Sequence, residues 1–112
     1  MHEISIAENI IKLIQNEYGN SEFKIKEIFV QVGELSGIIP DTLIFAFDQL
    51  KNDTKFSDTK INVEIIKCKL KCNNCGREYE ISLSDITKCE NCGSDDFILI
   101  GGTDIILSRI IT

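Results

Sequence analysis

From the start of the chain, apolar residues recur at three- and four-residue steps: Ile4, Ala7, Ile11, Ile14 and Tyr18, with Ile10 and Leu13 widening the stripe. This period predicts an amphipathic helix of about four turns, closed by Gly19-Asn20. The pattern then changes to alternation. Between residues 24 and 32, Ile28, Val30 and Val32 fall on one face and Phe29 and Gln31 on the other, which predicts a strand. Gly33-Glu34-Leu35-Ser36-Gly37 is a turn-rich link. Pro40 suits the first turn of a helix, where its missing N–H would be unbonded anyway, and Asp41 complements the positive end of the helix dipole. Leu43, Ile44, Phe47 and Leu50 supply a second helical stripe. Residues 52–59 are polar and read as a loop. Ile61, Val63 and Ile65 then alternate with Asn62 and Glu64, predicting a second strand.

Near Cys68 the composition changes. Two Cys-x-x-Cys-Gly turns appear, Cys72 to Gly76 and Cys89 to Gly93, with a short apolar stretch of Tyr79, Ile81 and Leu83 between them. Gly101-Gly102 marks an exit, and residues 105–111 are almost continuously apolar, which predicts a well-buried final strand. A strand placed after the cysteine module most simply returns to the first sheet. The expected fold class is therefore α+β, with two helices on a three-stranded mixed sheet. Residues 1–67 plus 103–112 would form this two-layer unit, and residues 68–102 an inserted zinc-ribbon domain.

Composition narrows the function classes. With 112 residues, the chain falls below the roughly 150 residues of an average domain. That leaves room for one compact unit and an appendage. Hydrophobic residues make up 43% of it, too many for a disordered chain. No apolar run approaches the ~18 residues of a membrane span, and no secretory signal pattern is visible, so a cytoplasmic protein with no membrane partner is expected. Twelve Lys and Arg against eighteen Asp and Glu give a net charge of −6. No segment is basic, whereas a phosphate-binding surface needs clustered cations. Nucleic acid is not an expected partner.

The cysteines carry the first specific chemistry. All five lie between residues 68 and 92. A disulfide framework would call for an oxidising compartment and preferably an even count. Two Cys-x-x-Cys turns can instead present four thiolates to one ion, and a full set of four closes a structural Zn site with no position left for catalysis. The 13 residues between the pairs are slightly fewer than the usual ~15–20, a length that a short hairpin of two strands and a turn can accommodate. Gly76 and Gly93 relieve crowding where backbone N–H groups turn toward sulfur. A module this small cannot bury an adequate core, so metal binding would supply its folding energy. Cys72, Cys75, Cys89 and Cys92 are the candidate zinc ligands. The alternative for these turns is a pair of redox motifs, but they lack the strand–helix setting of a thioredoxin-like site. Cys68, outside both pairs, reads as a small buried residue.

His2 is the only histidine. A lone histidine is usually a surface residue, but this position offers more. The Met1 α-amine, the backbone nitrogen and the imidazole of residue 2 can all reach one ion, a nitrogen-rich planar set that suits Ni(II) or Cu(II), and Glu3 can add an oxygen. Such a site would be weaker and more exchangeable than the thiolate one.

These features stand in a familiar order. Met1-His2-Glu3 opens an amphipathic helix. Gly33-Glu34-Leu35-Ser36-Gly37 leads into Pro40 and Phe45-Ala46-Phe47, and the paired Cys-x-x-Cys turns follow. In this combination the whole chain resembles the HypA/HybF family, nickel-insertion accessory proteins of [NiFe]-hydrogenase maturation. The resemblance implies a metallochaperone that carries Ni(II) as transient cargo on Met1, His2 and Glu3. It also implies structural Zn on Cys72, Cys75, Cys89 and Cys92. The implied partners are a HypB-type GTPase and the hydrogenase large-subunit precursor, and a homodimer is compatible with it. The chain has no P-loop for nucleotide, so any GTP hydrolysis must come from a partner. Without a second histidine or a Ser/His/Asp or Cys/His constellation, it is not expected to be an enzyme. The competing reading is a zinc-ribbon adaptor that docks proteins and has no nickel site of its own. Nickel binding separates the two.

Overall fold

The computed structural model describes residues 3–112; Met1 and His2, two of the expected nickel ligands, lie outside them. The elements in chain order are α1 (Glu3–Tyr18), β1 (Glu27–Gly33), α2 (Pro40–Leu50), β2 (Lys60–Ile66), β3 (Lys69–Cys72), β4 (Glu78–Glu80), a 3-10 turn (Leu83–Asp85), β5 (Phe97–Gly101) and β6 (Ile105–Ile111). They form two separate three-stranded sheets, one ordered β2-β1-β6 and the other β4-β3-β5. The class is α+β, as the patterning implies.

The first sheet is mixed. β1 runs parallel to β2, with Ile28 opposite Ile61 and Val30 opposite Val63, and α2 is the crossover that a parallel pair requires. β1 runs antiparallel to β6. The chain thus leaves this sheet at β2, builds the second sheet, and returns as β6. Its buried face carries Ile28, Val30, Val32 and Ile61, which pack with Ala7, Ile10 and Ile14 of α1 and Leu43, Ala46 and Phe47 of α2. Each large aliphatic or aromatic side chain so covered contributes about 1.5–3 kcal/mol. On the opposite face the Arg109 guanidinium lies 4.5 Å from the centroid of the Phe29 ring.

In this first unit four expectations need correction. β1 begins at Glu27 rather than at residue 24: the ladders with β2 and β6 start there, and before it Lys26 adds single bonds, its amide to the Ile111 carbonyl and its carbonyl from the Lys60 amide. The α1 stripe centres on Ala7, Ile10 and Ile14, leaving Ile4 and Leu13 exposed; similarly, Leu50 opens to solvent at the end of α2. The polar loop at residues 52–59 contains a core residue: Phe56 is fully buried. There the loop also caps α1, since the Lys55 ammonium donates to the carbonyl of Tyr18 at 2.8 Å, where the helix dipole favours a cation. Finally, β6 is an edge strand and not a central one. None of its side chains is fully buried, and Ile106 is 49% exposed. A bulge opposite Phe29 and Val30 offsets its register, with the Ser108 hydroxyl bonded to the Phe29 carbonyl at 3.1 Å. Strand bulges of this kind blunt an exposed edge.

The second sheet is smaller. β3 pairs antiparallel with both β4 and β5, and Leu70 is its buried apolar side chain, beside Cys72. The 13-residue linker between the cysteine pairs does not form the expected hairpin. It contributes one strand, β4, and the 3-10 turn, while the second neighbour of β3 comes from Phe97–Gly101 beyond the last cysteine. The molecule is elongated, 55 × 26 × 17 Å with a radius of gyration of 17.6 Å, against ~13 Å for a compact chain of about 100 residues.

Candidate metal centre

Each Cys-x-x-Cys pair folds into the same tight turn. In the first, the Gly76 amide donates to the Cys72 carbonyl at 2.9 Å and the Cys72 amide to Arg77 at 2.8 Å. In the second, the Gly93 amide donates to the Cys89 carbonyl at 2.7 Å and the Cys89 amide to Ser94 at 2.8 Å. Gly76 and Gly93 have φ of 83° and 78°, the left-handed region that side chains with a Cβ avoid. This explains why glycine follows each pair.

The two turns face one another. All four sulfurs lie within 4.8 Å of each other, with Cys72 Sγ 3.5 Å from Cys92 Sγ and Cys75 Sγ 3.6 Å from Cys89 Sγ. Four Zn–S bonds of about 2.3 Å in a tetrahedron place sulfurs about 3.8 Å apart, so the donor set matches that geometry. Cys72 and Cys89 are buried, while Cys75 and Cys92 lie at the surface. Cys72 is the last residue of β3, so the strand places one corner of the quartet.

At Cys89 and Cys75 the surroundings favour thiolate, the form that binds metal. The Tyr79 hydroxyl, 3.1 Å from Cys89 Sγ, acts first, and with the amides of Cys92 and Asn91 it holds the Cys89 thiol down at about 6. Tyr79 is itself positioned by the Glu90 amide, which donates to its hydroxyl at 3.0 Å. A hydrogen bond with the Asn91 side chain lowers Cys75 as well. At Cys72 the amide of Cys75 pulls downward, but burial and the neighbouring thiols leave it raised. Spacing could not identify Tyr79 or Asn91 as part of this site. Tyr79 reads in the sequence as one apolar residue in a short strand.

Cys68 is fully buried, as its chemistry suggests, but it is not inert packing. Its thiol donates to Glu34 Oε1 at 2.9 Å, and burial together with that carboxylate pushes the Cys68 thiol up. It therefore stands apart from the quartet. Glu3, the one expected nickel ligand among the described residues, is buried in the first turn of α1, where its Oε2 accepts the Ile39 amide at 3.4 Å.

The family model described as "Hydrogenase/urease nickel incorporation, metallochaperone, hypA" matches residues 1–112. The chain belongs to the HypA family. It is 33% identical to the hydrogenase maturation factor HypA of Methanococcus aeolicus, covering 99% of this chain and 96% of that one. It is 38% identical to the HypA of Methanocaldococcus jannaschii, over 93% and 90%. Among solved structures, the solution structure of the Ni metallochaperone HypA from Helicobacter pylori superposes with a TM-score of 0.67 at 25% identity, covering 99% of this chain and 97% of the other. Membership in the HypA family makes this chain a nickel metallochaperone of hydrogenase maturation. No helix among the described residues is long and apolar enough to cross a membrane.

Proposed function

We propose that the chain binds Ni(II) through the Met1 amine, the His2 imidazole and backbone nitrogen, and Glu3, and delivers it during [NiFe]-hydrogenase maturation while Cys72, Cys75, Cys89 and Cys92 hold a structural zinc ion. The family match over all 112 residues carries the nickel reading. The sulfur quartet within 4.8 Å supports the metal reading of the module, and an all-thiolate tetrahedral donor set favours zinc among divalent ions held without redox change. When bound, zinc supplies folding energy to residues 68–102, and the rest of the chain presents the nickel ligands. In this reading residues 1–67 plus 103–112 are the nickel-binding domain and residues 68–102 the zinc-binding domain. The donor sets differ in chemistry as well as in place: nitrogen and carboxylate ligands release an ion far more readily than four thiolates do, which suits cargo at one end and scaffold at the other.

Glu3 supports this division. Its carboxylate accepts the amide of Ile39 just before α2, which ties the first turn of α1 to the second helix. The protein acts in the cytoplasm without catalysis of its own. A HypB-type GTPase would supply nucleotide hydrolysis, the hydrogenase large-subunit precursor would receive the ion, and a second copy of the chain is a further candidate partner.

The test is a parallel nickel titration of three forms: C-terminally tagged wild type, an N-terminally tagged form, and His2→Ala. The substitution should abolish specific nickel binding, and the N-terminal tag should weaken it, with the bound zinc unchanged in all three. Equal nickel affinity across the set would leave the zinc-ribbon adaptor as the better account.

A further inference from the structure

Glu34 stands in the Gly-Glu-Leu-Ser-Gly link, and neither metal site uses it. Its side chain nevertheless gathers three donors from distant parts of the chain. The Cys68 thiol donates to Oε1 at 2.9 Å, the Leu83 amide to Oε1 at 3.0 Å, and the Ser82 hydroxyl to Oε2 at 2.7 Å. Its own amide donates to the Ile66 carbonyl at 2.8 Å, and the next amide, Leu35, to Gly102 at 2.9 Å. Glu34 and its neighbour Leu35 thus join the end of β1 to the end of β2, to both crossings into the cysteine module, and to the linker between the cysteine pairs. The described side-chain hydrogen bonds that join residues 68–102 to the remainder of the chain all end on this carboxylate.

We propose that Glu34 is a positioning latch that fixes the cysteine module against the helical unit, and that it closes only when the four cysteines are gathered on a metal ion. The second half rests on the metal reading of the quartet given above. Ser82 and Leu83 belong to the linker whose two ends are Cys75 and Cys89. Within it, Tyr79 touches Cys89 and the Ile81 amide donates to the Cys68 carbonyl at 3.0 Å. Leu70 is the module's one buried aliphatic side chain among the described residues, so apolar packing does little to shape the linker. With no ion to gather the sulfurs, the linker's two donors lose their place. The carboxylate is well suited to hold them when present: three charge-assisted bonds, first that from Cys68, then those from Ser82 and Leu83, lower its pKa to about 2, so it is ionised at neutral pH. The crossings themselves are close-packed, since a Cβ on Gly33 would come within 2.2 Å of the Gly102 carbonyl oxygen. The module therefore has a tight pivot there and needs a lateral contact to set its angle.

The experiment uses the full chain, isotope-labelled, with bound metal counted in every sample. Amide exchange is read at Leu83, and rotational correlation times are read separately for the helical unit and the module. Wild type with metal should tumble as one body with Leu83 protected. Glu34→Ala should keep its metal, expose Leu83 to exchange about tenfold faster, and let the module tumble independently. Ser82→Ala, which alters only the module side, should move both readouts in the same direction and keeps the test sound if Glu34→Ala fails to fold. Metal-stripped wild type should resemble Glu34→Ala at Leu83. Variants with full metal content, common tumbling and wild-type exchange at Leu83 would overturn the latch. Wild type that carries no metal yet protects Leu83 would overturn the metal dependence, and the metal count identifies that case directly.

Discussion

The helical unit and the cysteine module solve the same problem by opposite means. In the first, Ile14, Ile28, Val30, Val32, Leu43, Phe47 and Phe56 are essentially removed from solvent and pack into one core between two helices and a sheet. In the second, the side chains removed from solvent are Leu70 and the cysteines Cys68, Cys72 and Cys89. The strands of that module, Phe97–Gly101 above all, leave Ile98, Leu99 and Ile100 about half exposed. Apolar burial scales with the amount of chain enclosed, and a unit of this size lies below the ~40 residues at which a core alone suffices. One part of this protein encloses a core of its own side chains; the other encloses little besides its cysteines, and in the reading proposed above a metal ion makes up the difference.

The sharpest way to break that contrast is to remove the metal. Chelation, or Cys89→Ser, should unfold the module while α1, α2 and the first sheet persist. Structural zinc sites contribute on the order of 10–16 kcal/mol of apparent binding energy to small domains. Amide NMR spectra with and without chelator should lose dispersion for residues 68–102 alone. A module that keeps its dispersion with no metal bound would remove the contrast.

The reciprocal change is Phe47→Ala. Phe47 is fully buried at the centre of the helical core, and truncation of a buried phenylalanine costs about 3–5 kcal/mol. Helical circular dichroism should melt at a markedly lower temperature, while metal analysis still finds one ion per chain. Loss of metal in step with helix stability would mean that the two parts fold as one.

A smaller change sharpens the account of the metal site. At Gly93 an added Cβ would meet no atom within 4 Å, so any penalty for Gly93→Ala comes from its φ of +78° alone. That conformation costs an ordinary residue about 1–2 kcal/mol, which corresponds to metal affinity roughly five- to thirtyfold weaker. A competition titration with a chromophoric chelator measures it. Unchanged affinity would mean that the turn need not hold its left-handed shape to bind the ion.

Local chemistry left its mark on the sequence wherever neighbours along the chain decide the outcome. The period of Ala7, Ile10 and Ile14 specified α1, the alternation of Ile28, Val30 and Val32 specified the buried face of β1, and Pro40 marked the first residue of α2. The cysteine spacing likewise specified the quartet, because two tight turns and their glycines are short-range structures. What the pattern could not supply depends on partners distant in the chain. Residues 105–111 look like a buried strand by composition, but whether a strand lies at the centre or the edge of a sheet is set by which strands pair beside it. Here β2 occupies the other flank of β1 and leaves β6 outermost. Phe56 lies in a polar stretch and reaches the core only because Lys55 and Thr59 tie that loop back to the Tyr18 and Ile25 carbonyls. Tyr79 and Glu34 acquire their roles by meeting Cys89 and Ser82 across the fold. Sequence determined the elements and the cysteine quartet, since dihedral preference, amphipathic period and turn chemistry act over a few residues. Tertiary structure alone decided the strand order, the loop residue in the core and the latch between the two sheets, because each is a hydrogen bond or packing contact between residues that the sequence keeps far apart.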